Sequence, residues 1–231
     1  MAHLTTGQIG QLIEIDKAGQ GIRDEVQELI KRLTSGGVGV KSDDPRVVQA
    51  KQLWDRALFG HAQGFNSFKD YLATIPEIPT FPESYADRFP LLVLVDARLP
   101  VVRQCPLLGV NFSGDDQTFV DYERKTAKTG KVYWIRAQDG RKNNGKSAHA
   151  CREAFGDDEV GLSALEGLAI YAQNPDDLKG RAMELPGSVR RGRSNDRTAF
   201  LTWIDAGLPP MLHCGWDGNK SPDSGTASRG K

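Results

Sequence analysis

The sequence predicts an α+β protein in which a helical N-terminal region precedes a mixed α/β C-terminal domain with a small sheet. Three features favour this fold class: helical apolar spacing near the N-terminus, a cluster of prolines after residue 74, and short apolar runs beyond residue 90. We therefore expect a helical region over 1–74, a proline-rich connector over 75–90, the mixed domain over 91–217 and a flexible tail over 218–231.

The N-terminal helices are predicted from side-chain periodicity. Apolar residues recur at steps of three and four over 4–34, and a glycine-containing break at 18–21 divides them into a packed helical hairpin. The small and apolar residues around that break fit a packed helical hairpin better than a DNA-binding helix-turn-helix. A further helix is expected over 45–59, because Pro45 suits a first helical turn. Residues 75–90 hold four of the 12 prolines, which disfavours both helix and central strand.

The C-terminal elements follow in order. Residues 91–95 form an uninterrupted apolar run typical of a strand buried on both faces. A helix is predicted over 113–128, a strand over 131–137, and a helix over 163–174 that opens with a Ser-x-x-Glu capping box. Residues 200–204 and 211–216 are expected to pair as a hairpin.

The composition describes a cytoplasmic globular protein. The chain has 231 residues with Lys+Arg 30 and Asp+Glu 30, and its 39% hydrophobic content is too high for a disordered chain. No apolar run approaches the roughly 18 residues of a membrane-spanning helix, and the first residues lack a secretory signal pattern. Three cysteines, an odd number, favour free thiols in a reducing cytoplasm. The composition does not predict an oligomeric state.

The sharpest motif lies at 140–147, which reads Gly-Arg-Lys-Asn-Asn-Gly-Lys-Ser and matches the phosphate-binding loop G-x-x-x-x-G-K-[ST]. In such a loop Lys146 would meet the β- and γ-phosphates and Ser147 would help to hold Mg²⁺, which predicts a nucleotide hydrolase. Two features oppose this hypothesis: few residues remain after the loop to build a nucleotide-binding core, and Asn144-Gly145 is a common hairpin-turn pair. Both interpretations stay open from sequence, and Mg²⁺ is the only cofactor that either implies.

A broader hypothesis is binding of a phosphate-bearing partner, nucleic acid or nucleotide. Residues 122–152 hold nine Lys and Arg against two acids, with Tyr133 and Trp134 interleaved, and cations beside exposed aromatics can hold phosphates and stack bases. Strand alternation, however, sends one of these two aromatics into the core. The predicted contacts are Arg141, Lys142, Lys146, Ser147, Arg190, Arg191 and Arg193.

The competing hypothesis is a protein-interaction or structural domain without small-molecule chemistry. Residues 153–178 contain seven acids and no Lys or Arg, which provides an intramolecular partner for the basic segment. Mutual pairing of these charges in the fold would favour this alternative. The sequence assigns no catalytic residue, so enzymatic activity beyond the hydrolase hypothesis is not predicted.

Metal binding is not expected. His149 with Cys151, and His213 with Cys214, are the candidate ligands, but neither spacing is usual for zinc and no Cys-x-x-Cys pair is present. A Cys–His nucleophile is an equally weak hypothesis, because no glycine-flanked nucleophile motif surrounds either cysteine. Asp96 ends a buried strand, where α/β sites place a carboxylate, although a turn or cap role is commoner.

The C-terminal half resembles a set of bacterial hypothetical proteins. The shared segments, within 131–231, are 134–142, 145–147, Cys151, 158–162, 166–167, 185–188 and 225–228. The resemblance implies that residues 139–151 belong to a larger pattern specific to that domain, and it implies no activity.

Overall fold

The computed structural model describes residues 43–115, 117–121, 130–190, 197–203 and 207–231. The chain divides into two compact units, 1–43 and 44–231, and the described residues belong almost entirely to the second. The helical hairpin expected over 4–34 lies outside the described residues.

Short helices dominate the first part of the second unit. Their bounds are α1 Pro45–Asp55, α2 Phe59–Ala62, α3 Phe68–Ala73, α4 Tyr85–Arg88 and α5 Val101–Leu107. Asp44 caps α1 by accepting a hydrogen bond from the Arg46 N–H. The helix predicted over 45–59 is therefore confirmed at its start but ends early, because the chain turns through Leu58 in a left-handed conformation before α2 begins.

The remaining elements are mostly strands. The helices are α6 Ala148–Ala154 and α7 Ala164–Gln173. The strands are β1 Leu91–Asp96, β2 Phe119–Asp121, β3 Val132–Gln138, β4 Glu159–Gly161, β5 Arg181–Arg190, β6 Arg197–Trp203, β7 Met211–Trp216, β8 Ser224–Thr226 and β9 Ser228–Gly230. The two 3-10 turns cover Arg141–Asn143 and Pro175–Leu178.

These strands form two sheets. Sheet A has the order β1-β3-β9-β4, and all of its neighbours are antiparallel. Sheet B contains β2, β5, β6 and β7 in antiparallel contact, with β8 parallel to β5. The segment that follows β7 thus contributes one strand to each sheet.

Sheet A is buried on both faces. Val93 and Val95 pack in a core shared with α7 and sheet B, whereas Leu94 and Trp134 pack against α1, α2 and α3. The prediction that residues 91–95 form a strand buried on both faces is confirmed. The predicted strand over 131–137, the α7 helix with its capping box, and the hairpin of β6 and β7 are also confirmed.

The predicted fold class is wrong. The described structure is rich in sheet, and most of that sheet lies in the C-terminal region, instead of a helical region followed by a domain with a small sheet. Within the segment predicted as helix over 113–128, residues 119–121 form β2. Residues 75–90 lie inside the second compact unit, where Ile75, Tyr85 and Phe89 are buried, so they do not connect two domains.

The second half of the segment expected to be a flexible tail is buried. Residues 224–230 form β8 and β9 and are buried throughout. Most of these residues are Gly, Ser, Thr or Ala, a composition that is typical of flexible segments. The same small side chains allow strand backbones to approach closely. The buried Glu166 carboxylate accepts a hydrogen bond from Arg229 Nε at 2.7 Å, which fixes β9 against α7. Across the described residues, the structure contains no helix long and apolar enough to cross a membrane.

Candidate functional site

The segment that matches a phosphate loop holds β8 in place. Gly140 has φ 95°, and a Cβ there would lie well inside 3.0 Å of the Gly225 carbonyl oxygen. Asn144 forms an antiparallel bridge with Gly225, and the Gly145 N–H donates to the Ser224 carbonyl at 3.2 Å. Both glycines of the motif are therefore explained by the turn and by the close approach of two backbones.

The backbone amides of this segment are engaged by protein acceptors. Gly140 N–H donates to Gln138 Oε1 at 2.7 Å, Asn143 N–H to the Gly140 carbonyl at 2.8 Å, and Lys146 N–H to the Asn143 carbonyl at 3.1 Å. Ser147 is buried and its hydroxyl accepts from Ala150 N–H, which caps α6. A phosphate cradle needs such amides to point at the ligand. The geometry thus opposes nucleotide hydrolysis by residues 140–147, and with it the role of Mg²⁺.

The predicted cations near this turn are held by contacts within the fold. Arg141 lies 3.3 Å from Asp139 Oδ2 and 3.1 Å from Asp177 Oδ1. Lys142 Nζ donates to the Asp87 carbonyl at 2.5 Å. Lys146 is exposed, and its Nζ lies 3.4 Å from Asn143 Oδ1. The Arg141–Asp177 pair joins the basic segment 122–152 to the acidic segment 153–178, as the hypothesis of a structural or protein-interaction domain predicts.

The second predicted group lies elsewhere on the molecule. Arg190 is exposed at the end of β5, with Nη1 3.8 Å from Cys214 Sγ. At the start of the same strand, Arg181 contacts Asp139 at 2.9 Å, beside Arg141. A ten-residue strand spans about 30 Å, so the two groups do not share one surface. Arg191 and Arg193 lie outside the described residues.

The candidate metal ligands are not assembled. His149 Nδ1 lies 3.9 Å from Asp217 Oδ2, and Cys151 is a buried thiol whose pKa is raised by burial. His213 and Cys214 are consecutive residues of β7, so their side chains point to opposite faces, which also opposes a Cys–His nucleophile built from this pair. Among the described residues, no group of three or more His, Cys, Asp or Glu can hold a metal ion.

Other predicted site residues have structural roles. Tyr133 and Trp134 are both buried, because sheet A is covered on both faces, so the expectation that one would remain exposed to stack a base is wrong. Asp96 is buried and accepts hydrogen bonds from Arg98 Nε at 2.9 Å, Gln63 Nε2 at 2.9 Å and the Tyr71 hydroxyl at 3.0 Å. The acceptor oxygens of Asp96 are therefore engaged in hydrogen bonds within the protein.

Sheet B presents a partly accessible surface on the side away from the core. Alternate residues of β5, β6 and β7, such as Leu185, Leu201 and Leu212, pack in the core. The residues between them point the other way. Pairing aligns Glu184, Phe200 and His213 in one row across the three strands, with Thr202 and Met211 in the next row. We call these five residues the outer face.

The outer face contains an aromatic pair. The rings of Phe200 and His213 have centroids 3.7 Å apart and are tilted by 51°. A Cβ at Gly215 would lie 2.7 Å from Phe200 Cε1, so this glycine leaves the space that the phenyl ring occupies. His213 Nε2 lies 3.5 Å from the Thr202 hydroxyl, and burial lowers the pKa of the imidazole, which favours its neutral form.

A carboxylate borders this aromatic pair. Glu184 is half-buried and accepts hydrogen bonds from the Ser224 hydroxyl at 2.9 Å and the Thr226 hydroxyl at 2.8 Å. Burial raises the pKa of Glu184. On the adjacent α6, Arg152 pairs with Asp217 and donates to the Thr198 hydroxyl at 3.1 Å. The outer face thus combines aromatic rings with one fixed carboxylate.

Sequence reasoning missed the outer face. Its signal is the alternation of Thr198, Phe200 and Thr202 with Ala199 and Leu201, which shows that this strand has two different sides. Only the register of β5, β6 and β7 brings Glu184 and His213 to either side of Phe200.

No protein-family model, curated protein or solved structure matches the chain. The resemblance of residues 131–231 to bacterial hypothetical proteins stays a prediction.

Proposed function

We propose that this protein binds single-stranded nucleic acid on the outer face of sheet B. The observation that carries the proposal is the Phe200–His213 ring pair on a partly accessible sheet surface. Aromatic side chains on such a surface stack bases whatever their sequence, and each stacked base contributes about 1–3 kcal/mol. The neutral imidazole is a second aromatic ring on this surface, tilted by 51° from the phenyl ring.

Two exposed arginines lie at one end of β5 and β6, on the opposite side of sheet B from the outer face. Arg190 and Arg197 are directly paired and exposed where β5 and β6 meet their connecting segment. Arg197 precedes Phe200 by three residues and pairs with Trp216, so its side chain points to the side of sheet B opposite to Phe200. Arg191 and Arg193 follow Arg190 in the sequence. Phosphate contacts by the Arg190 group therefore require that the nucleic-acid strand continue past this end of the sheet, whereas Arg141 and Lys142 are engaged in the fold. We also propose a cytoplasmic location, because three cysteines, an odd number, favour free thiols in a reducing compartment.

The test is binding of a fluorescein-labelled single-stranded oligonucleotide, measured by fluorescence anisotropy. Phe200→Leu keeps an apolar side chain but removes the ring, so we expect the loss of one stacked base to weaken binding about 5- to 150-fold. Trp216→Leu is the matched control, because Trp216 is an exposed aromatic of β7 on the side opposite to His213. Equal affinity of the wild type and Phe200→Leu would refute the proposal.

Salt dependence locates the phosphate contacts. For single strands, each phosphate contact adds about −0.7 to the slope of log affinity against log salt. Arg190→Gln with Arg197→Gln should therefore flatten the slope by about 1.4. Arg141→Gln with Lys142→Gln should leave it unchanged, since those side chains are held by Asp177 and by the Asp87 carbonyl. A flatter slope for the Arg141→Gln, Lys142→Gln variant and an unchanged slope for the Arg190→Gln, Arg197→Gln variant would indicate that residues 140–147 contact the phosphates.

A second candidate function, protein interaction, is favoured by apolar exposure near β7. Leu208, Met211 and Trp216 are exposed by 63%, 45% and 57%. Met211 and Trp216 lie at opposite ends of β7 and point to opposite sides of the sheet, whereas Leu208 and Met211 are close in the chain. Exposed apolar side chains that adjoin one another are typical of contact surfaces between proteins. Light scattering coupled to gel filtration tests self-association: a dimer dispersed by Leu208→Ser with Met211→Ser would support this candidate, and a monomer at all concentrations would exclude self-association.

A further inference from the structure

β7 lies at one edge of sheet B, because the order of the antiparallel strands is β2-β5-β6-β7. In an antiparallel strand, the N–H and C=O groups of every second residue point to the same neighbour. The Leu212 N–H donates to the Asn111 carbonyl at 2.9 Å, and the Asn111 N–H donates to the Pro210 carbonyl at 2.8 Å, on the side away from β6. Leu212, Cys214 and Trp216 therefore direct their backbone groups away from sheet B.

Part of this edge has no partner within the described part of the chain. Asn111 engages the Leu212 N–H, and the Asn219 N–H donates to the Trp216 carbonyl at 3.1 Å. The Leu212 carbonyl, both backbone groups of Cys214 and the Trp216 N–H make no hydrogen bond to any described residue. Neither Pro nor Lys nor a bulge interrupts β7, so it lacks the common devices that protect the edge of a sheet.

An edge of sheet A shows the contrast, because it is blocked. Gln49 Nε2 of α1 donates to the Leu92 carbonyl at 2.7 Å, and Gln49 Oε1 accepts from the Leu94 N–H at 2.7 Å. Gln104 Nε2 of α5 donates to the Asp96 carbonyl at 2.9 Å. Side-chain amides thus take the place of a neighbouring strand along β1, whereas the second half of β7 stays open to another strand.

The four open groups of β7 are complementary to themselves. When two copies of β7 pair antiparallel about a twofold axis at Cys214, each Cys214 N–H donates to the Cys214 carbonyl of the other copy. Two residues away, the Trp216 N–H of each copy meets the Leu212 carbonyl of the other. This register uses every open group. The two groups that it leaves unpaired, the Leu212 N–H and the Trp216 carbonyl, are those that Asn111 and Asn219 already engage.

We propose that two copies of this chain associate through their β7 edges and join the two copies of sheet B into one continuous antiparallel sheet. Such a twofold contact, in which one surface meets its own copy, is the commonest arrangement of soluble oligomers. This inference rests on the second candidate function, self-association, and assigns its contact to the backbone of β7. Because directly opposed residues of antiparallel strands point to the same side, both outer faces lie on one side of the joined sheet.

Chemical cross-linking of the wild-type protein tests the register. Cys105 and Cys151 are buried, so a short bismaleimide reacts first with Cys214. The register places the two copies of Cys214 directly opposite each other, with Cα atoms about 5.5 Å apart. We expect a cross-linked dimer whose Cys214–Cys214 link is identified by mass spectrometry. Cys214→Ser should abolish the cross-link and keep the dimer that light scattering detects.

Cys214→Pro tests the backbone contact. Proline removes an N–H that points away from β6, so the hydrogen bonds between β6 and β7 are kept. We expect light scattering to give a monomer for Cys214→Pro, and twice the chain mass for the wild type and Cys214→Ser. The cross-link is measured on the wild type, so it decides the proposal even where Cys214→Pro does not fold.

Two kinds of result would overturn the β7 pairing. A wild-type monomer at all concentrations would overturn it together with self-association. A dimer without the Cys214–Cys214 link would overturn the pairing alone. So would a dimer that Cys214→Pro keeps and Leu208→Ser with Met211→Ser disperses, because the contact would then lie on the apolar side chains.

Discussion

Gly140→Ala tests whether the phosphate-loop motif is a structural turn. The left-handed backbone at this position, φ 95°, is costly for alanine, and the new Cβ would collide with the carbonyl oxygen of Gly225. Gly145 is the matched control in the same motif: its φ is 76°, but a Cβ there meets nothing within 4 Å. The two substitutions therefore share the conformational cost and differ in the collision.

The size of the effect follows from these two terms. A left-handed conformation costs a non-glycine residue about 1–2 kcal/mol. Alanine also reduces the conformational entropy of the unfolded chain, which offsets about 0.4–1 kcal/mol of this cost in both variants. The collision at residue 140 adds about 1–3 kcal/mol, because both partners are backbone atoms of paired segments. For a chain of this length the difference corresponds to about 2–12 °C in Tm.

Urea denaturation followed by circular dichroism measures both variants, with calorimetry for Tm. We expect Gly140→Ala to unfold at clearly lower urea than Gly145→Ala, and neither variant to change any binding of ATP or GTP. Equal unfolding midpoints would refute the structural explanation. A loss of nucleotide binding with unchanged stability in both variants would show that the segment cradles phosphate after all.

Three further outcomes are expected. Arg229→Ala leaves the carboxylate of Glu166 buried without its cationic partner, so the free energy of unfolding measured in urea should fall by about 3–5 kcal/mol; an unchanged value would contradict the buried pair. Burial lowers the pKa of His213, so stability is present above the ordinary histidine pKa of about 6.5 and is lost as the pH falls; His213→Gln should reduce that loss in denaturation series at several pH values, and an identical pH profile would count against it. Cys214 is the least buried cysteine, whereas burial raises the pKa of Cys105 to about 12, so iodoacetamide should label Cys214 before Cys105 by mass spectrometry; the reverse order would be inconsistent with the fold.

Local signals in the sequence predicted individual elements well. The apolar run at 91–95, the Ser163 capping box and the hairpin of β6 and β7 each depend on neighbouring residues, and all are present. Burial of Tyr133 and Trp134 together was not predictable, because it requires the helical layer that covers the second face of sheet A.

Long-range pairing explains the larger errors. Residues 224–230 have a composition typical of a flexible segment, and only their pairing with β5, β3 and β4 makes them strands. The sequence leaves the 140–147 motif open between a phosphate loop and a turn, because the close approach of Gly225, 85 residues later, cannot be inferred from local sequence. The candidate site depends on register in the same way, since Glu184, Phe200 and His213 come from three different strands.

Mapping of the nucleic-acid contact by NMR tests the central claim most directly. Titration of the ¹⁵N-labelled protein with a single-stranded oligonucleotide should shift the amide signals of the strands that carry Glu184, Phe200 and His213, and leave those of residues 140–147 in place. Shifts concentrated in residues 140–147, or no shifts at all, would contradict binding on the outer face of sheet B.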